Sequence, residues 1–447
     1  MRPLRFDGLF CASALVALTH LMACSANGNG AGTGGEGATN TTDSSGGAGG
    51  NAGGAGGSGN NGGVGGIGIG GAGPGGANTG GSINCTPGGE NDDVDGDGYT
   101  PAQGDCEDCD PNRNPNAVEV PTEDGATPYD EDCDDVIDED DSVLCDDGLA
   151  VDDQDPISAA RAMELCKTSV NPGEWGVIDA KWVLADGNDP PAFALQNFHL
   201  GHGILSGFGP NVTTQAGARM AALSSGTARQ PTDLGYSDVN GFSKGYQCGH
   251  PQGFPKESPS CPGSITGQPN DATGLEIEVQ PPSNAKGFSF DFKFYTYEWP
   301  GFVCSTYNDF FVALLTPFPA GQTDGNIAFD KMGNPVSVNN AFIEVCGCPG
   351  NPPNPCQAGG KSFDCPLGDF DLIGTGFGFD SCSFCEDHGG TGWLRTNAPI
   401  DKPAEKITIR FAVYDSGDGV LDTTTLIDNF RWIAKPGVTV GTDVVPE

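Results

Sequence analysis

The sequence predicts a mainly β protein. Its head is an antiparallel β-sandwich, jelly-roll-like, preceded by a small acidic module held by disulfides and ions and by a disordered Gly-rich linker. Three observations lead there. Gly287-Phe-Ser-Phe-Asp-Phe-Lys-Phe alternates strictly, as does Lys406-Ile-Thr-Ile-Arg-Phe-Ala-Val, and a period of two belongs to half-buried antiparallel strands. Further short apolar runs lie between turn residues through 148–436, a spacing expected of a sandwich with a sizeable core. Finally, 72 of 447 residues are glycine, and 28 of them crowd the stretch before Cys85, so that part cannot pack as a globule.

The first residues address the chain. Arg2 and Arg5 give a basic start, and Leu9 to Ala23 is a mostly apolar run too short to span a membrane as a mature helix. It ends Leu21-Met22-Ala23-Cys24, which resembles a bacterial lipobox. That resemblance implies a signal peptide over 1–23, diacylation of Cys24, and attachment to a bacterial outer membrane or cell surface, since Ser25 rather than Asp follows. Two acyl chains would anchor the protein stably. Residues 24–84, the lipidated cysteine with its Gly, Asn, Ala, Ser and Thr tract, form a flexible tether with a reach of roughly 40 Å.

Residues 85–147 make the acidic module. The chain carries 20 basic and 60 acidic residues, a net charge of −40, and from Cys85 to Asp155 there are 26 acidic residues against Arg113 alone. Acidity so concentrated points to a cation site and excludes nucleic acid as a partner. Asp93, Asp95 and Asp97 alternate and are followed by Gly98, the pattern of a calcium loop in which the Tyr99 carbonyl adds an oxygen. Position 12 of an EF-hand loop would be Glu; here Gly104 stands there and Asp105 follows, so the loop is EF-like on another scaffold. Few large apolar residues are present, and disulfides and ions are expected to replace a core.

The Asp-rich loops resemble thrombospondin type 3 calcium repeats. In order, Asp93-Val-Asp95-Gly-Asp97-Gly98-Tyr99, Gly104-Asp105-Cys106-Glu107-Asp108, Asn114-Pro115-Asn116-Ala117-Val118-Glu119, Asp124-Gly125 and Asp132-Cys133-Asp134-Asp135-Val-Ile-Asp138 resemble the MopE-type metal-binding motif of bacterial surface proteins. The resemblance implies metal ligands among Asp93, Asp95, Asp97, Tyr99, Asp105, Asp108, Asp110, Asp132, Asp134 and Asp138. The sequence lacks that motif's cysteine before Asp124 and has Cys109 in addition, which implies rerouted disulfides. The family name carries copper, yet hard oxygen donors without histidine favour calcium, leaving copper the lesser alternative.

The head spans 148–436, followed by a tail over 437–447. Asp155-Pro156 opens a helix as N-cap and first-turn proline, with Ala159, Ala162, Met163 and Cys166 on one face. Strands are expected at Gly176–Leu184, Thr273–Val279, Gly287–Tyr297, Phe310–Leu315, Val336–Val345, Lys406–Tyr414 and Thr425–Ile433. Phe290-x-Phe292-x-Phe294-x3-Glu298-x-Pro300, Tyr307-Asn308-Asp309-Phe310-Phe311, Asn326-Ile327-Ala328, Val336-x-Val338-Asn339-Asn340 and Asp415-x-Gly417-Asp418-x3-Asp422-x5-Asp428-Asn429 resemble the choice-of-anchor L domain, over most of 155–435. The resemblance implies an extracellular β-sandwich without an assigned activity, and the insertion Cys346 to Cys385 departs from it. Glu298, Asn308, Asp309, Asp415, Asp418, Asp422 and Asp428 are candidates for a second calcium site at one end of the sandwich.

Once Cys11 leaves with the signal and Cys24 is acylated, 15 of 17 cysteines remain, an odd number that leaves one thiol free, metal-bound or joined to another chain. In an exported chain Cys346, Cys348, Cys356, Cys365, Cys382 and Cys385, near His388, are expected as disulfides rather than a zinc site. His199 and His202 have no matching third ligand and are expected as loop histidines. No Gly-x-Ser-x-Gly, His-Glu-x2-His, P-loop or dinucleotide motif occurs. The expected function is therefore calcium-dependent binding or adhesion at the cell surface without catalysis, its partner a glycan or another surface protein. A glycan-acting hydrolase built on paired carboxylates and a metal-sequestering surface protein are the alternatives.

Overall fold

In the computed structural model, which describes residues 85–139, 144–339, 342–347, 355–358, 361–378 and 388–446, two antiparallel sheets lie face to face. The strands are β1 (Gly176–Val183), β2 (His202–Leu205), β3 (Met220–Ser224), β4 (Pro269–Gln280), β5 (Gly287–Thr296), β6 (Phe310–Thr316), β7 (Ile343–Cys346), β8 (Pro355–Ala358), β9 (Lys361–Asp364), β10 (Gly389–Thr391), β11 (Leu394–Pro399), β12 (Ile407–Ser416), β13 (Thr423–Ile433) and β14 (Gly441–Val444). One sheet runs β1-β4-β12-β6. The other runs β14-β11-β5-β13-β3-β2, with β10 pairing β5 and β7, and β8-β9 is a separate hairpin. The expected signal peptide, tether and Cys24 anchor lie outside the described residues.

Alternation explains the core. Phe288, Phe290, Phe292 and Phe294 are fully buried on the face of β5 that meets the other sheet. Phe290 packs edge-on to Phe411 of β12 with centroids 5.0 Å apart, and Phe292 lies 4.9 Å from Phe311 of β6. The expectation of half-buried strands fails for β5 itself. Its other face, Ser289, Asp291, Lys293 and Tyr295, is buried as well, because Phe208 and Phe377 from distant segments cover Tyr295 and Asp371 pairs with Lys293.

Most expected strands are present, with β4 longer than foreseen. Val336–Val345 is not a continuous strand; only Ile343–Cys346 is. Val336 and Val338 are buried, but Ser337 Oγ accepts the Asn339 N–H at 3.2 Å and turns the chain there. The helix α1 covers Pro156–Arg161 only, capped by Asp155, whose Oδ1 accepts the Ile157 N–H at 2.9 Å. Glu164 then adopts a left-handed φ of 67°, so Cys166 falls beyond the helical face and instead bonds to Cys145. The expected tail supplies β14, paired to β11.

The acidic segment docks on the sandwich. Val118 N–H donates to Asn284 Oδ1 at 3.1 Å, Asn284 Nδ2 returns to Val118 O at 2.8 Å, and Trp175 N–H donates to Asn116 Oδ1 at 2.8 Å. Disulfides Cys85–Cys109 and Cys106–Cys133 staple it, and Cys145–Cys166 joins it to the head. Among the described residues no helix is long and apolar enough to cross a membrane.

Candidate metal centres

Asp93, Asp95 and Asp97 bring a carboxylate oxygen each to within 4.8 Å of one another. The loop is wound by its own acids. Asp93 accepts the Gly96 and Gly98 N–H groups at 2.7 and 3.2 Å, Asp95 Oδ1 that of Asp97 at 3.1 Å, and Asp97 Oδ1 that of Tyr99 at 2.7 Å. Gly96 and Gly98 have φ of 81° and 99°, a left-handed turn that other residues resist. Asp95 Oδ2 and Asp105 Oδ2 are shut from solvent without a hydrogen-bond partner. Burial, then repulsion from Asp97, Asp105 and Asp93, pushes Asp95 up to about 6, and burial also raises Asp97 and Asp105. An all-oxygen set of this kind suits a hard cation.

The other expected ligands divide. Asp108 spends both oxygens on backbone, accepting Gly88 N–H at 2.7 Å and Val94 N–H at 3.1 Å, and Asp110 Oδ1 accepts the N–H and Nδ2 of Asn112. Asp132 and Asp134 gather with Asp130, and Asp132 also with Glu119 and Glu139. Asp138 Oδ1 accepts from Thr122, while its own N–H donates to Glu119 Oε2 at 2.8 Å. Sequence reasoning missed Asp130, Glu119 and Glu139 as members of these groups. Glu119 stood in the quoted motif, so its role was open to view.

At one end of the sandwich the loops before β6 and after β12 bring further acids together. Glu298 is 3 % exposed and Asp309, Asp415 and Asp422 are buried, with Asn308 beside them in the chain at 1 %. Asp309 N–H donates to Glu298 Oε2 at 3.4 Å, and Asp309 Oδ1 accepts from Ser416 N–H at 3.1 Å. Both oxygens of Asp415, both of Asp422 and both amide atoms of Asn308 lack any partner. Burial first, then neighbouring carboxylates, raises Glu298 to about 10 and holds Asp415 and Asp422 far above the carboxylate range. Asp309 rises to about 7, again chiefly by burial. Half-buried Asp418 adds its charge to Glu298 and Asp309. Lys244 faces Asp415 and Asp422, but its ammonium is bonded to Ser224 O at 2.8 Å and Thr273 Oγ1 at 2.6 Å. These acids are spread more widely than the Asp93 set.

Residues 257–430 match the family model of the choice-of-anchor L domain. A domain of this kind suggests a surface-associated protein. No curated protein matches the chain, and no solved structure does. The matched domain starts later than the resemblance over 155–435 suggested, leaving α1 and β1 to β3 outside it, and it contains every acid of the sandwich-end cluster.

Within that domain one expected ligand is misplaced. Asp428 sits opposite Asp291 in the β5–β13 pairing, whereas Thr423, next to Asp422, lies opposite Thr296. Six residues of strand separate Asp422 from Asp428, roughly 20 Å, so Asp428 does not join the loop-end acids. Elsewhere, His202 stacks on Trp182 with centroids 3.8 Å apart and burial drops it to about 3, the behaviour of a core histidine. His199 lies at the surface, its Nδ1 3.3 Å from Leu195 O. Cys346 bonds to Cys365, and Cys356 is disulfide-bonded too. Cys348, Cys382 and Cys385 lie outside the described residues. Cys248 is the free thiol among the described residues, and burial pushes it up to about 11.

Proposed function

We propose that this is a lipid-anchored surface protein of the bacterial outer membrane that binds calcium and uses its sandwich head for calcium-dependent adhesion, without catalysis. The supporting observation is the loop-end cluster: Glu298, Asp309, Asp415 and Asp422 are all buried, and the oxygens of Asp415 and Asp422 have no partner. Two like charges about 4 Å apart repel by about 4 kcal/mol at an effective dielectric near 20. A divalent ion removes that repulsion and uses the idle oxygens, and the all-oxygen donors favour calcium over copper. Loops ordered by an ion at a sheet end are the usual place for ligand recognition. The Asp93–Asp105 loop then acts as a stiffener at the base of the head, with weak affinity, on the order of 10⁻⁴ to 10⁻³ M, typical of extracellular modules. The ligand class is a surface glycan or another surface protein.

A glycan array and a whole-cell binding screen of the full chain, each with calcium and with EDTA, test this reading. Retention that needs calcium and returns the ligand intact is the expected outcome. Binding indifferent to EDTA, or cleavage of a bound glycan, overturns it.

A further inference from the structure

We propose that the cleft at the junction between the acidic segment and the sandwich is a carbohydrate-binding site. Its ligand is the uncharged pyranose rings of a neutral glycan, and its platforms are Trp175 and Trp432. The cleft has a volume of about 340 Å³, within the range of small-molecule sites, which begins at roughly 300 Å³. One wall, with Val118, Glu119 and Asp138, comes from the acidic segment; the other, with Trp175, Arg431 and Trp432, comes from the head. The Cys145–Cys166 disulfide and the paired hydrogen bonds between Val118 and Asn284 fix the spacing of the walls. A site held open in this way costs little to order when a ligand enters.

The two indoles are braced yet accessible. Trp432 is packed edge-on by Phe430 and Phe288, with centroids 5.0 and 6.4 Å away. Trp175 donates its backbone N–H to Asn116 Oδ1 at 2.8 Å, and the Lys167 ammonium lies 4.2 Å from its ring centre. Both side chains are half-buried. A buried indole N–H normally finds an acceptor, as that of Trp182 does on Gln154 O at 2.8 Å. The indole N–H groups of Trp175 and Trp432 donate to no acceptor among the described residues, and neither is sealed from solvent. Each ring therefore offers a flat apolar surface and one unused donor.

Charge narrows the ligand. Glu119, Asp138, Glu139 and Glu164 share the cleft with Lys167 and Arg431. Burial raises Glu164 to about 9, so near neutral pH three carboxylates face two cations. Walls so nearly balanced concentrate neither polyanions nor polycations. Sugar hydroxyls each donate and accept, so one ring can bond to carboxylate and guanidinium together while its C–H face covers an indole. Arg431 is exposed and fixed by Nε on Asn429 Oδ1 at 2.8 Å, leaving its terminal nitrogens without an acceptor among the described residues. Asp138 binds Thr122 through Oδ1 alone. A purely apolar ligand would strip water from these groups and return nothing. Of the residues named here as lining the cleft, Phe430 alone falls within the matched 257–430, so the site belongs to the parts of the chain built around that domain.

Proton–nitrogen spectra of the full chain, with one indole signal for each of its five tryptophans, test the inference. The probes are neutral tetrasaccharides of glucose, galactose, mannose and N-acetylglucosamine at millimolar concentrations. At least one should move the Trp175 and Trp432 signals while leaving that of Trp182 in place. Trp432→Ala should weaken the same sugar about tenfold, and Trp432→Phe should recover part of the loss. If no probe moves either signal, or if Trp432→Ala binds as tightly as wild type, the inference fails. Equal shifts from cyclohexanol, a ring without the hydroxyl pattern, would reduce the cleft to an apolar crevice and overturn it too. Calcium at the loop end plays no part in this site. Sugar shifts that persist where calcium-dependent adhesion is absent would leave it standing, and adhesion without those shifts would overturn it alone.

Discussion

Thr423 Oγ1 donates to Asp309 Oδ2 over 2.7 Å. Thr423 opens β13 in one sheet, and Asp309 immediately precedes β6 in the other. This bond therefore ties the two sheets together at the end where the buried acids collect. The cost of holding Glu298, Asp309, Asp415 and Asp422 there is borne by packing elsewhere, and the sign of that cost depends on whether a cation is present.

Neutralising one of these acids should accordingly act in opposite directions. Asp422→Asn removes a buried carboxyl that folding forces to stay protonated and whose oxygens have no partner, so in EDTA the variant should be more stable than wild type by about 1–3 kcal/mol. With calcium at a hundred times its dissociation constant, wild type should gain about 2.7 kcal/mol per site, and the variant should lose that gain. Denaturant unfolding in EDTA and in calcium measures both. A variant destabilised equally in the two conditions would mean that Asp422 serves packing alone.

The pH dependence has a definite sign. Asp309 and Glu298 sit at about 7 and about 10 in the folded protein, above their ordinary 3.8 and 4.5. Folded protein thus holds protons that unfolded chain has released. The stability they contribute is full below the ordinary values and is lost as pH rises through the folded ones. Calcium-free protein should weaken steadily from mildly acid solution to about pH 9, while calcium-loaded protein should not. Thermal melts across that range are expected to diverge with rising pH; parallel curves would count against ion binding at these acids.

How much was visible in the sequence depends on how local each cause is. The alternating phenylalanines of β5 and the Asp155 cap were legible because period and capping act over a few residues. The Asp93–Asp97 loop was legible because its carboxylates bind the backbone two to five residues on. The short β2 and β3 escaped, since Met220-Ala-Ala-Leu-Ser has neither alternation nor β-branched residues. The cover over Tyr295 comes from Phe208 and Phe377, far along the chain. Asp428 was grouped with Asp422 on sequence nearness, which an extended strand undoes. The walls of the junction cleft meet at the Cys145–Cys166 disulfide, and pairing cannot be read from cysteine spacing.

Arg395 reaches Asp291 with Nε at 2.6 Å and a second nitrogen at 2.7 Å, and Asn429 Nδ2 adds a third donor at 2.7 Å. Asp291 is completely buried and the Arg395 side chain is 42 % exposed. Arg395→Ala should cost about 2 kcal/mol, mostly by leaving that carboxylate short of donors. Asp291→Asn in the same background should restore part of the loss, because it removes the stranded charge. Denaturant midpoints of the single and double variants form the cycle, and simple additivity would rule out the pair as the cause.

Asn114 links the calcium loop to the head. Its Nδ2 donates to Asp97 Oδ2 at 2.8 Å, and its Oδ1 accepts from Ser283 Oγ at 2.8 Å. The residue is fully buried, so both bonds are made away from water, where losing a partner costs about 1–3 kcal/mol. An ion in the loop orders Asp97, Asp97 orients Asn114, and Asn114 holds Ser283 beside β5. Asn114→Ala should therefore reproduce on calcium-loaded protein what EDTA does to wild type: faster hydrogen exchange in residues 93–99 together with residues 283–286, and protease access to the acidic segment, while the amides of β12 stay protected. Exchange that quickens in the loop but leaves 283–286 untouched would show that the loop and the head are held together by other contacts.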